Sequence, residues 1–316
     1  MRNFLCFLGF GILLLGCSLS PSSESLATPS LQSLETESVV ALPSETQTGS
    51  GIKSTETPTP TVTPIPEILE AQQYAVVFLS EGSLLEVQAF PGSDQQVIAR
   101  LGPHSTGITH TQNYRWFSEI LWIEINIPGG GTGWVKADNL TPQIDSRVFC
   151  LDSRIEGLIS QFTTAVQSRD GFIIKNLVSP VHGLKIRHEW WNPEVRFPAG
   201  DQLALIFNDR SAYDWGMQNG SGLPIQGSFL DKIVPALDEG LAEYSRHCNT
   251  LEQGVAESGS GGYTEWPFEY VNLNYYSLYH PAPASDELGW RTWVLGFELI
   301  GDQPYLVVLV QYHWEI

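Results

Sequence analysis

The rhythm of apolar positions changes several times along the chain. Residues 1–17, MRNFLCFLGFGILLLGC, form an almost unbroken apolar run behind a single Arg2 and end in the small Gly16. From Ser18 to about Pro66 no apolar periodicity survives, and Ser, Thr and Pro dominate, most densely in TETPTPTVTPIP. From Tyr74 onward, short runs follow one another: AVVFL, LLEVQAF, QVIARL, GITHT, LWIEINI and GWVKA, separated by Gly, Pro, Ser and Asn. Runs of this length and spacing predict short strands of a small all-β barrel or sandwich.

After residue 146 the period lengthens. Asp152-Ser153-Arg154-Ile155-Glu156 predicts a helix start with Ser153 as N-cap and Glu156 closing a capping box. Ile155, Leu158, Ile159, Phe162, Ala165 and Val166 then share one helical face until Arg169-Asp170-Gly171 breaks it. Ser228 and Asp231 repeat the signal before Leu230, Ile233, Val234, Leu237, Leu241 and Tyr244. Pro235 predicts a kink or a new start inside that pattern, because proline lacks a backbone donor and crowds the preceding turn. Strand patterns fill 184–190, 203–207, 269–279, 290–300 and 305–316. The last two read as a hairpin turning at Gly301-Asp302-Gln303, with Leu306, Val308, Val310, Tyr312 and Trp314 on one side of a sheet. Helices followed by a largely antiparallel sheet predict an α+β domain at 146–316.

Composition changes the picture at the N-terminal end. The Ser/Thr/Pro stretch cannot bury enough apolar surface to offset chain ordering, so 17–68 is expected to be a disordered, extended tether, with a composition that permits O-glycosylation. The apolar run before it is too short to span a bilayer, which takes ~20 residues, and has the parts of a secretory signal at 1–16. The chain has 35 acidic residues against 16 basic and a net charge of −19 over 316 residues. That balance argues against nucleic acid as a partner, since such binding draws on clustered Lys and Arg. It also disfavours flat association with anionic lipid, leaving a covalent anchor as the route to a membrane.

Two resemblances sharpen this reading. Leu14-Leu15-Gly16-Cys17 resembles the lipobox of bacterial lipoproteins, which implies that Cys17 carries the lipid, becomes the mature N-terminus and holds the chain extracytoplasmically on the bacterial membrane. Cys6 would then leave with the signal, so that Cys150 and Cys248 remain as one candidate disulfide or as two buried thiols. The stretch at about 69–143 resembles the bacterial SH3 domain. The matching pieces are Leu85-Glu86-Val87-Gln88 with Pro91-Gly92, Val97-Ile98 with Leu101, Trp122-Ile123-Glu124-Ile125, and Gly133-Trp134-Val135 with Leu140, around a Gly129-Gly130-Gly131 hairpin. Glu86 and Gln88 stand where that family usually has Asn and Arg. The chain as a whole is expected to be multidomain, a small all-β SH3-like barrel followed by the α+β domain.

The resemblance implies binding without chemistry, to cell-wall peptide or glycan or another envelope polymer, with no cofactor. Tyr114, Trp116 and Phe117, read as part of a loop NYRWFSE, are the recognition candidates together with Trp134, although Trp122 and Trp134 also suit core packing, and loop aromatics also fold back onto their own barrel. Chemistry is sparse. His182, His188 and Glu189 lack the i, i+4 helical pair that presents two ligands to zinc, so no metal is expected. Neither cysteine sits in a thiol-hydrolase motif, and the Ser-Gly run at residues 258–262 lacks the context of a phosphate cradle. The alternative to a binding protein is a wall or glycan hydrolase using two of Asp201, Asp209, Asp214, Glu265 and Glu269 among Trp190, Trp191, Trp215 and Trp266.

Overall fold

A computed structural model describes residues 66–92, 95–251, 266–286 and 289–314. The signal run, Cys17, most of the tether, the Ser-Gly run and Glu265 lie outside the described residues. Among the described residues no helix is long and apolar enough to cross a membrane. Val62–Ile316 form one compact unit, mixed α/β with mostly antiparallel sheets.

The first seven strands are β1 (Tyr74–Val76), β2 (Leu85–Gln88), β3 (Val97–Leu101), β4 (His110–Phe117), β5 (Ile120–Asn126), β6 (Thr132–Lys136) and β7 (Leu140–Pro142). Five of them make an antiparallel sheet in the order β3-β2-β6-β5-β4. Period-two alternation sends Leu85, Val87, Leu121, Ile123, Ile125 and Val135 into one core and leaves Trp122 and Trp134 on the other face, where Trp134 is paired with Glu124. The β5–β6 hairpin closes through Gly129, Gly130 and Gly131, all at positive φ, a path that side chains with a Cβ rarely follow. Among the described residues the expected barrel is not closed. β1 pairs with β7 as a separate ribbon and touches the β3–β4 connection through one bridge, Tyr74 to Ile108, so the edges β3 and β4 stay unjoined.

The loop expected at 113–119 is instead the end of β4 and a two-residue turn. Asn113 to Phe117 belong to that strand, with Trp116 opposite Leu121 and Phe117 opposite Ile120. Ser118 and Glu119 make the turn at φ of 49° and 64°, the left-handed pair that matches the twist of a tight hairpin. The aromatic, β-favouring side chains of this stretch pair across the hairpin and extend the strand to the turn.

Three helices follow: α1 (Ser146–Leu151), α2 (Ser153–Ser168) and α3 (Gly171–Leu177). All six residues of the predicted α2 face are buried. The cap is Asp152, one residue earlier than expected, whose carboxylate accepts from the Arg154 amide and also grips the Arg154 guanidinium. The ends at Asp145, Asp152 and Asp170 are all capped by aspartate, satisfying amides that have no partner within their helices. Next come β8 (Leu184–Arg187), β9 (Val195–Phe197), the ribbon β10 (Tyr213–Met217) and β11 (Pro224–Gly227), then α4 (Phe229–Gly240). Residues 203–207, expected as a strand, lie instead in and just after a 3-10 turn at Asp201–Leu205 against α3. The Cβ that Gly171 lacks would lie 2.2 Å from the Ala204 carbonyl oxygen, so the turn packs directly on the helix backbone.

Ser228 caps α4 as expected, accepting from the Asp231 amide. Pro235 begins no new helix; α4 runs through it. The indole of Trp293 donates to the Ala236 carbonyl at 3.1 Å, and Gly240 lets the helix close on that ring, since a Cβ there would lie 2.6 Å from it. The chain ends with β12 (Ser245–Cys248), β13 (Asn274–His280), β14 (Arg291–Ile300) and β15 (Gln303–His313). They join β8 and β9 in the order β12-β13-β14-β15-β8-β9, antiparallel except for the β15–β8 pair. The β14–β15 hairpin turns on Gly301 and Asp302, both at positive φ. The expected one-sided row on β15 is broken by a bulge: Gly296 faces Val308 while Phe297 faces Leu306. Leu306 therefore joins Leu309 on the helix face, and Val308, Val310 and Tyr312 pack on the other.

Cys150 at the end of α1 and Cys248 at the end of β12 are bonded, with Cα atoms 5.8 Å apart and a sequence separation of 98. The bridge ties the first helix to the sheet's edge strand. Replacing both cysteines with serine is expected to lower unfolding free energy by up to about 4.7 kcal/mol, the chain-entropy figure for a loop of about 100 residues. Denaturant titration measures the loss, and peptide mapping of the oxidised, denatured chain after thiol labelling is expected to find neither Cys150 nor Cys248 labelled.

Candidate functional site

Where the two lobes meet, strands from each contribute to the other's core. Val77, just past β1, packs with Val294, Val308 and Tyr312 on the face of the large sheet away from the helices, while Ile300 of β14 packs among the small lobe's Ile68, Leu121 and Ala137. A backbone bond stitches the same seam, Phe78 N–H to Glu269 O at 2.8 Å. The Asn272 amide donates to both Val76 O and Pro103 O at 2.7 Å.

A carboxylate and an imidazole are buried together inside this seam. Glu298 of β14 bonds His182 Nδ1 at 2.8 and 2.9 Å and accepts from Thr141 Oγ1 of β7 at 3.2 Å. His182 Nε2 reaches toward the Ala137 carbonyl at 3.4 Å, so the imidazole spans both lobes. Burial alone would push the Glu298 carboxyl up, but the His182 charge, hydrogen bonds from His182 and Ser179, and the Lys185 charge outweigh it and hold the carboxyl below the ordinary glutamate range. Gly183, at φ +66°, turns the chain immediately after the histidine, where a Cβ would lie 2.2 Å from Phe197 O.

Around the turn at Ala137–Asn139 the surface opens into a chain of three recesses that share lining residues. One, of about 410 Å³, is largely apolar and is lined by Trp116, Ile120, Leu121, Ile68, Val181 and Ile300, with Glu67, Glu119 and Asp138 on its rim. The second, of about 380 Å³, contains Lys136, Lys185, Arg196 and His182. The third, of about 260 Å³, lies over Glu86, Gln88 and Trp122 and shares Lys136 and Asn139 with the second.

The four aromatic candidates separate. Trp116 lies at the mouth of the apolar recess, 61% exposed. Tyr114 is half-buried against the small lobe's core. Phe117 projects from the opposite face of β4, with its ring over Gly92. Trp134 is buried, with the Arg115 guanidinium 5.8 Å above its ring, an arrangement that covers the indole face. Of the four, Trp116 alone combines exposure with a recess.

The charged residues weighed for chemistry are drawn into different structural roles. His182 bonds Glu298, whereas Glu189 bonds His313 Nε2 at 2.9 Å with His188 Nδ1 at 3.9 Å. Among the described residues no group of three or more His, Cys, Asp or Glu side chains comes close enough to hold a metal ion. Asp201 pairs with Lys175, Asp209 accepts from Tyr213 and Ser211, Asp214 accepts from the Gly216 amide, and Glu269 pairs with Arg187. Trp215 is buried with its indole donating to Gly227 O, and Trp266 packs at a tilt against Tyr275 while donating to Tyr270 O. The residues sequence reading passed over, Glu298 and Lys185, sit in the apolar run WVLGFELI and in the alternating strand LKIR. A charge interrupting a run otherwise fit for burial is a legible sign of a buried polar partner.

The chain matches no known family model, no curated protein and no solved structure.

Because the folded pKa of Glu298 lies below its unfolded value, the pair stabilises the protein above the ordinary glutamate range, and that contribution is lost as pH falls through the lower folded value. Glu298→Gln is expected to cost about 3–5 kcal/mol at neutral pH, because it leaves a buried imidazole without its carboxylate. It is also expected to flatten the acid limb of the stability curve. Urea titrations of both proteins across pH measure the two effects.

Proposed function

We propose that this chain is a lipid-anchored protein of the bacterial cell envelope, held by Cys17 on an extended tether, that binds wall peptide or glycan without chemistry. The small lobe is taken to be a divergent, open relative of the bacterial SH3 domain. The observation that carries the reading is Trp116, an exposed indole at the mouth of a recess of about 410 Å³. A rigid indole beside an apolar wall offers a stacking and packing surface whose ordering costs little entropy. The rim carboxylates Glu67, Glu119 and Asp138 favour amine-bearing segments, as in wall peptide, over acidic ones. Further recesses adjoin this one, as suits an extended polymer more than a compact metabolite. No observation favours the hydrolase reading, since the carboxylates weighed for it that are described each have a structural partner.

Sedimentation with isolated cell wall tests the proposal. The fragment 62–316 is expected to co-sediment without releasing soluble wall fragments, and Trp116→Ala to weaken binding roughly 30-fold or more, the scale of an interface hot spot worth about 2 kcal/mol. Trp134→Phe, at a shielded ring, is expected to bind as the parent does. A fragment that stays in the supernatant, or a Trp116→Ala variant that sediments like the parent, overturns the proposal; released fragments favour the hydrolase.

A further inference from the structure

The second recess at the seam has a charge balance opposite to that of the chain. Three of the 16 basic residues, Lys136, Lys185 and Arg196, line one cleft of about 380 Å³, with Asp138 the carboxylate among its lining residues. Lys185 is only 6% exposed. Its ammonium donates to the His182 carbonyl at 3.0 Å and lies 3.9 Å from the centre of the Phe78 ring. Among the described residues it has no carboxylate at ion-pair distance, and Glu298 is already engaged by His182. Burying an ammonium whose neighbouring carboxylates, Glu194, Glu298 and Asp138, act on it only from beyond ion-pair distance is costly, and burial holds the Lys185 pKa below the ordinary lysine range.

The neighbouring charge makes the arrangement less favourable still. Lys185 and Arg196 lie directly opposite each other in the β8–β9 pair, where like charges destabilise a sheet. Arg196 is eased by Glu194 at 2.5 Å through Nε. Lys136, the third cation, makes no ion pair among the described residues and lies 5.9 Å from the centre of the Trp122 ring. Each feature has a purely structural reading alone. Together they form a concave cluster of cations, one of them buried, in a chain of charge −19, and a bound anion would offset all of these costs at once.

We propose that this cleft is a binding site for a small anionic group, a carboxylate or a phosphate, held between the Lys185 and Lys136 ammonium groups and the Arg196 guanidinium. Lys185 supplies a desolvated charge at the base, and Arg196, with nitrogens beyond the Nε that Glu194 holds, supplies a planar donor edge at the mouth. The site does not depend on where the chain resides or on the Trp116 recess.

The test is calorimetric titration of the whole chain with acetate and, separately, inorganic phosphate, at ionic strength held constant with chloride to remove non-specific screening. Saturable binding of either anion is expected, and which one saturates identifies the group. Lys185→Met, which keeps the stem and removes the charge, is expected to weaken that binding at least tenfold. Arg196→Gln, at a more exposed position, is expected to weaken it several-fold and serves if the first variant does not fold. Absence of saturation with both anions overturns the proposal. So does undiminished affinity in the variants.

Discussion

The bond between His182 and Glu298 is the constraint around which the two lobes are arranged. A carboxylate with no access to water has to find donors, and here they come from Ser179 and His182 in the turn before β8 and from Thr141 of β7. These segments are far apart in sequence, so satisfying one carboxylate fixes the small lobe's last strand against the large sheet. The apolar exchange around it, with Val77 in one core and Ile300 in the other, excludes the water that would otherwise compete. Buried pairs of this kind add little net stability compared with apolar packing, but they penalise every arrangement in which the partners are separated. Their weight here falls on the geometry of the seam, and so on the recesses that open along it.

Elements whose signals are local were readable. The α2 face follows from spacing alone, and the Ser228 cap and the Gly301-Asp302 turn follow from the chemistry of those residues. Where competition between neighbours decides, the reading slipped. Asp152 outcompetes Ser153 as cap because its carboxylate also holds the Arg154 guanidinium, and a bulge moves Leu306 to the face opposite Val308 without leaving a mark in the alternation. Residues 203–207 have the composition of a strand, but no neighbouring strand offers them a ladder, and α3 offers a surface that a tight turn covers better.

The candidate site was legible only where one segment carries it. Trp116 could be picked out as an aromatic among polar neighbours, though its position near the end of a strand could not. Phe117 and Trp116 were grouped because they are adjacent, and strand alternation separates them for the same reason. Trp134 differs again: its face of the sheet is covered by Arg115, a contact set by the β4–β5–β6 register rather than by anything near Trp134 in the chain. The cationic cleft draws on β6, β8 and β9, whose meeting depends on the seam, so no local pattern announces it.

The aromatic content, which invited thoughts of a sugar-binding or hydrolytic groove, has a more direct explanation in the layering. The large sheet is covered on one face by helices and on the other by the seam, so both faces of β14 and β15 are buried along nearly their whole length. Filling two cores from one central hairpin calls for large side chains, and Trp215, Trp290, Trp293, Tyr270, Tyr312 and Phe297 are among the largest fully buried ones. Their polar tips are tied down where bonds are seen, as with Trp215 to Gly227 and Trp293 to Ala236, which fixes ring orientation as well as position. Aromatic density is therefore a poor guide to ligand binding in this chain. A ring left 61% exposed beside a recess, as Trp116 is, is informative because the architecture had a buried use for most of the others.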